Sequence, residues 1–193
     1  MAQARRSSLA ILLAALALLS FAAAAIKITN ITEWRVQSAG RPPVVKMAGE
    51  DATGSLLSVS TSTADDGTNR TVITIKGYTG DPTYYSEVIK ICNKDTSKSY
   101  AVKLVYNGVL SGGWTYVKYL KLWLNTTVGT TGPLVIKSDT SEGASIGPVT
   151  VGAGSCVSVP AEVLVTPNAP TGSDLISIRV DVVSTTPPPQ SGE

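Results

Sequence analysis

Apolar and polar residues alternate with a period of two along most of the chain, after an apolar run at its beginning. The alternation is clearest between residues 175 and 183, where Ile176, Ile178, Val180 and Val182 share one face. Glycine, proline, asparagine and aspartate separate the alternating segments, as is typical of short strands joined by turns. Beyond the apolar run, no segment shows the spacing of an amphipathic helix. The pattern therefore predicts an all-β protein.

Nine or ten short strands are predicted in the body of the chain, which favours a single β-sandwich of the jelly-roll kind. Two hairpins are expected: one joins 55–63 to 70–78 around Asp66-Gly67, and the other joins 84–92 to 99–107. The segment 44–47 follows two prolines and is expected at a sheet edge. The remaining predicted strands are 114–124, 134–137, 146–151, 156–165 and 175–183.

The segment Trp114–Leu124 is apolar on both of its predicted faces. Such a strand is either central in a sandwich or covered by a partner. One face carries Trp114, Tyr116, Leu120, Leu122 and Leu124, and the other carries Val117, Tyr119 and Trp123.

The chain begins with Arg5 and Arg6 and continues with an apolar run that ends in four alanines at Ala25. This order is typical of a secretory signal peptide, and small residues there suit a signal peptidase. The run from Leu9 to Ala25 is shorter than the roughly 20 residues of a membrane-spanning helix. An uncleaved anchor and a class III prepilin signal, cut near Ser8, are the alternatives.

A lone strand follows the run directly, and its apolar face is formed by Ile26, Ile28, Trp34 and Val36. No turn joins it to a neighbouring strand, so it is expected to stand apart from the sandwich. The predicted regions are a helical signal peptide at 1–25, this strand and a linker at 26–43, the sandwich at 44–184 and a proline-rich disordered tail at 185–193.

Composition excludes several classes of function. Arg5 and Arg6 are the only charged residues before Ala25, so the remaining chain is nearly neutral and has no basic cluster for nucleic acid. The sequence has no histidine, which excludes Ser-His-Asp and Cys-His catalysis. The pairs Glu50-Asp51 and Asp65-Asp66 favour solvated turns over glycosidase carboxylates or calcium ligands. We expect no enzyme activity, cofactor or metal.

Two cysteines, Cys92 and Cys156, are expected to form a disulfide in an exported protein. Two buried free thiols are the alternative. Three glycosylation sequons also occur, at Asn30, Asn69 and Asn125. Asn69 is the best candidate because it lies at a predicted hairpin tip.

The signal, the strand IKITNITEW and a Thr/Ser-rich sandwich containing ICNKDTSKSYAVKLVYN together resemble the archaeal bundling pilins, relatives of the bacterial TasA/camelysin biofilm-fibre proteins. The resemblance implies an extracellular filament held by donor-strand complementation, in which a strand of one subunit completes the next. Ile26, Ile28, Trp34 and Val36 would then be the donor residues. The partners would be further copies, head to tail, and neighbouring filaments in biofilm, with the membrane met only during export.

Two other functions stay open. A type IV-like pilin would keep Leu9–Ala25 as a helical stalk, whereas a secreted adhesion or carbohydrate-binding module would use Trp114, Tyr119 and Trp123 as a ligand platform.

Overall fold

The computed structural model of the protein describes residue 35 and residues 42–63, 69–126 and 129–185. These ranges contain strands and turns and no helix. The strands are β1 (Val44–Ala48), β2 (Leu57–Thr63), β3 (Asn69–Ile75), β4 (Pro82–Asn93), β5 (Tyr100–Gly112), β6 (Val117–Thr126), β7 (Gly129–Ile136), β8 (Ser145–Val151), β9 (Cys156–Val165) and β10 (Ile176–Thr185).

The strands form three sheets, and all pairs of these strands are antiparallel. The larger sheet has the order β1-β4-β9-β6-β7, and a smaller one has the order β10-β5-β8. The third is the two-stranded ribbon β2-β3. The chain is therefore all-β, as the alternation predicts.

The five-stranded and three-stranded sheets share one apolar core, which makes the fold β-sandwich-like. Ile91 and Leu124 of the larger sheet and Val102 and Leu104 of the smaller sheet are almost fully buried in it. Burying one such side chain contributes about 1.5–3 kcal/mol, so this shared core holds the two sheets together.

Two local predictions are confirmed. β2 and β3 form the first expected hairpin, with Leu57 opposite Ile75 and Thr63 opposite Asn69. β1 is an edge strand that pairs with β4 alone. The tip of the hairpin, residues 64–68, lies outside the described residues.

The second expected hairpin is wrong. β4 pairs with β1 and β9, whereas β5 pairs with β10 and β8 in the other sheet. Residues 94–99 therefore cross from one sheet to the other. β4 and β5 each carry an apolar face. Because the two strands lie in different sheets, these faces pack into one core from opposite sides. Short loops join strands within a sheet and between sheets alike, so loop length alone did not decide this connection.

The faces predicted for the segment Trp114–Leu124 are correct except at its beginning. β6 lies between β9 and β7, as expected of a central strand. The register with β9 shifts between Val117 and Tyr119, which turns Val117 into the core opposite Val165. Val117 therefore does not share a face with Tyr119 and Trp123, and Trp114 precedes the strand.

Candidate functional site

The predicted disulfide is confirmed, and the alternative of two free thiols is wrong. Cys92 on β4 lies directly opposite Cys156 on β9, with an S–S distance of 2.05 Å and a Cα–Cα distance of 4.0 Å. Val157 and Val159 on β9 face the core, so Cys156 faces outward. The bond therefore joins two neighbouring strands on the outer face of the larger sheet.

Several predicted regions lie outside the described residues. They include the signal peptide, the proposed donor residues Ile26, Ile28, Trp34 and Val36, the sequon at Asn30, and the tail from residue 186. The pair Asp65-Asp66 also falls there. These predictions stay predictions.

The two remaining sequons lie next to hairpin turns. Asn69 is the first residue of β3, where the hairpin resumes. Asn125, near the end of β6, lies opposite Ser158 on β9 and Thr130 on β7. Its side-chain oxygen is buried, and no donor among the described residues bonds to it. The environment of Asn125 is thus more closed than that of an exposed loop tip.

The acidic pair Glu50-Asp51 has a structural role. The Asp51 carboxylate accepts hydrogen bonds from the Glu87 amide at 2.8 Å and the Ser86 hydroxyl at 2.9 Å. The bond from the Glu87 amide is the main cause of the lowered pKa of Asp51. Glu50 pairs with Lys90 at 3.1 Å. The two carboxylates thus tie the segment after β1 to β4.

The outer face of the larger sheet carries an aromatic and charged cluster. The Tyr119 hydroxyl and the Lys121 ammonium both donate to Oε1 of Glu162 at 2.8 Å. The hydrogen bond from Lys121 is the largest cause of the lowered pKa of Glu162. The Trp123 ring meets the Tyr84 ring edge to face, with centroids 5.9 Å apart.

Only part of the predicted ligand platform comes together on this face. Tyr119 and Trp123 share this outer face as expected, but Trp114 packs against the core instead. Tyr84, which is 56% exposed, lies beside Trp123 and was not among the residues predicted for the platform. The Tyr84-Tyr85 pair in the sequence is the signal for an outward-facing tyrosine. Neighbouring residues of a strand face opposite sides of the sheet, and because Tyr85 is buried, Tyr84 faces outward.

Among the described residues, the two sandwich sheets end in four edge strands: β1 and β7 in the larger sheet, and β10 and β8 in the smaller one. β7 and β8 lie against each other on one side of the sandwich. On the other side, the charge of Lys46 on β1 acts on the Asp181 carboxylate of β10. This effect is smaller than those of Arg179, burial and Asn107, and the pKa of Asp181 is lowered overall.

The core is only partly covered at β10. Ile178, Val180 and Val182 pack against the core, yet each remains half-buried. Their neighbours Leu104 and Tyr106 on β5 are 2% and 3% exposed. The apolar face is therefore sealed along β5 and half-open along β10. We take the β10 edge and its half-buried face as the candidate functional site.

The described residues offer no group of three or more cysteine and acidic side chains placed to hold a metal ion. Within the same ranges, no helix has the length and apolar character needed to cross a membrane. The chain matches no protein-family model, and no curated protein matches it. The edge strands and the surfaces of the sandwich are therefore the features that bear on function.

Proposed function

We propose that this protein is a structural subunit of an extracellular filament assembled by donor-strand complementation. The N-terminal strand of one subunit adds to the sandwich of the next, after export and removal of residues 1–25. The resemblance to the archaeal bundling pilins and the TasA/camelysin proteins supports this function, as does the fold class. Lateral contacts between filaments would bundle them in biofilm.

One observation carries the proposal: the half-buried core face of β10. A further strand beside β10 would cover Ile178, Val180 and Val182 and bond to the outward-facing backbone groups of the edge. The segment Ile26–Val36 supplies apolar residues on one face at both of its ends, with the polar residues Asn30 and Thr32 between them. The proposed donor thus offers apolar contacts to the site at two places.

Strand exchange of this kind produces a fibre when each copy donates to the next. A head-to-tail contact that does not close into a ring propagates without limit. The near-neutral chain after Ala25 opposes such association only weakly through charge repulsion. As part of this proposal, the completed sandwich has jelly-roll topology.

Replacement of the four donor residues Ile26, Ile28, Trp34 and Val36 by serine tests the proposal. We expect the variant to stay monomeric, because the added strand loses the apolar contacts that hold it. The control replaces Lys27, Thr29 and Glu33, on the opposite face, by serine and should polymerise normally. Electron microscopy and sedimentation measure the polymerisation of the two variants. Normal filaments from the variant that lacks the four donor residues would contradict the proposal.

The position of leader cleavage separates this proposal from a type IV-like pilin. Donor-strand assembly requires a mature chain that starts near Ala25, whereas a retained helical stalk requires one that starts near Ser8. Mass spectrometry of the mature N-terminus measures this directly. A start near Ser8 would favour the pilin.

A carbohydrate-binding module is a second candidate, and the Tyr84–Trp123 pair on the outer sheet face supports it. Aromatic rings beside the Lys121–Glu162 ion pair offer both stacking and hydrogen bonds to a sugar. We expect Trp123→Ala to lower the affinity for a bound polysaccharide at least tenfold in pull-down assays. Tyr78→Ala, at an exposed tyrosine elsewhere, is the control. Unchanged binding by Trp123→Ala would exclude this candidate.

A further inference from the structure

We infer that the outer edge of β10, the side on which no other described strand pairs with it, accepts the strand 26–36 of a second copy of this chain, rather than any other edge of the sandwich. This inference rests on the proposed function, and it names the acceptor that the function requires. The edge strands differ in how they are protected, and an unprotected edge pairs with other strands.

β7 and β8 are poor acceptors. Each contains a proline within the strand, Pro133 in β7 and Pro148 in β8. Proline has no N–H to donate to an added strand, which is why it is found at edges that do not pair further. The two strands also lie against each other, which restricts access to both.

β1 is protected in a different way. It has five residues and begins directly after Pro42 and Pro43. Lys46 lies opposite the buried Ile91, so it occupies the core-facing side of the strand. A charge that points inward at an edge penalises an added strand, because the new strand would bury it.

β10 has none of these protections. It is ten residues long, twice the length of β1, and contains no proline. Its core-facing positions are the apolar residues Ile178, Val180 and Val182. Arg179 and Asp181 bond to each other on the opposite face, where an added strand would not bury their charges.

The backbone of β10 presents hydrogen-bonding groups to the open side. The N–H and C=O of Tyr106 on β5 bond to residues 144 and 143, on the β8 side. Backbone direction alternates along an antiparallel strand, so Val105 and Lys103 point toward β10. Their partners are Asp181 and Val183. Val180, Val182 and Ser184 therefore point their backbone groups away from β5 and toward an incoming strand.

The strand 26–36 matches this edge in length, with eleven residues against the ten of β10. Ile26 and Ile28 at one end and Trp34 and Val36 at the other share one face, and Asn30 and Thr32 lie between them. Placed beside β10, the apolar residues of this strand would cover the half-buried core face of β10. The smaller sheet would grow from three strands to four and face the five-stranded sheet more completely.

A pair of proline variants tests the acceptor in the full chain expressed with its leader. Val182→Pro removes one outward N–H from β10 and leaves the hydrogen bonds to β5 in place. Ala48→Pro is the matched control, because Gly49 N–H bonds to the Val88 carbonyl, which by alternation leaves Ala48 pointing away from β4. We expect Val182→Pro to reduce polymer to less than a tenth of the wild-type amount, and Ala48→Pro to polymerise normally.

Hydrogen exchange on the unmodified chain gives a second, independent measurement. We expect the amides of Val180, Val182 and Ser184 to exchange at least a hundredfold more slowly in polymer than in monomer. The amides of Lys46 and Ala48 should not change. This comparison holds even if Val182→Pro fails to fold.

The outcomes separate the acceptor from the function. Polymer from Val182→Pro, together with unprotected β10 amides, would overturn the β10 acceptor and leave the filament intact. A wild-type chain that never polymerises would overturn the proposed function itself. Protection of the β10 amides in a monomer would show that the chain's own strand covers the edge, and this would overturn the intermolecular assignment.

Discussion

At the scale of single residues, Asn93 holds the crossover between the two sheets. It is 1% exposed. The Nδ2 group of its side chain donates to the backbone carbonyls of Lys98 at 2.7 Å, Gly152 at 3.0 Å and Val151 at 3.2 Å. Its side-chain oxygen accepts from the Asp95 amide at 3.0 Å. One buried side chain therefore links the end of β4, the crossover and the turn after β8.

We expect Asn93→Leu to lower the free energy of unfolding by roughly 2–4 kcal/mol, because buried carbonyls lose their donors. Urea denaturation measures the change. Asn168→Leu, at an exposed turn residue, is the control and should shift stability by less than about 0.5 kcal/mol. Equal stability of the two variants would contradict the role assigned to Asn93.

At the scale of elements, the pair β4–β9 forms the centre of the larger sheet and carries the disulfide. The two cysteines are separated by 64 residues in sequence. The bond therefore closes a long loop in the unfolded chain, and the loop contains β5 to β8, which span both sheets. It stabilises the fold chiefly by restricting that unfolded chain.

Replacing both cysteines by alanine should lower the free energy of unfolding by about 4 kcal/mol, according to the loop-entropy relation. The measurement is the urea midpoint of the double variant against the oxidised wild type. Reduced wild type provides the matched comparison and should resemble the variant. A midpoint that does not move in either case would show that the bond contributes nothing to stability.

At the scale of the whole molecule, four described carboxylates in different parts of the fold have lowered pKa values: Asp51, Asp95, Glu162 and Asp181. The pKa of Asp95 is lowered to about 2, first by the Ser97 amide and then by the Ser97 hydroxyl and the Lys98 amide. A folded-state pKa below the unfolded value means that the ionised form stabilises the fold. That contribution is present above pH 4 and is lost as pH falls toward 2.

We therefore expect the melting temperature to be nearly constant from pH 5 to 8 and to fall steeply below about pH 4. Asp95→Asn should be less stable than wild type at pH 7, and the difference should narrow between pH 4 and pH 2. Calorimetry across this range measures both effects. A constant difference down to pH 2 would contradict the role of the ionised Asp95.

How far the sequence predicts the fold depends on the range of the interaction. Alternation places nearly every strand, because period two follows from the local geometry of an extended backbone. It does not reveal that β4 and β5 belong to different sheets, since both have the same pattern. The side chain of Asn93 bonds to Gly152, far along the chain, and no local signal announces that contact.

The candidate site divides in the same way. The apolar face of Ile178, Val180 and Val182 is visible in the sequence, and so is the disulfide that the export signal predicts. That β10 is an edge, with its core face half-open, follows only from the sheet order. The shift that buries Val117 also requires the partner strand β9.

The sequence by itself thus determined the all-β class, the strand segments and the cysteine pair, because backbone periodicity and residue chemistry act locally. Only the tertiary structure decided which strands are neighbours and which of the described strands lie at a sheet edge. Many similar strands could pair with one another across long loops, and burial of the shared core favours one of these arrangements.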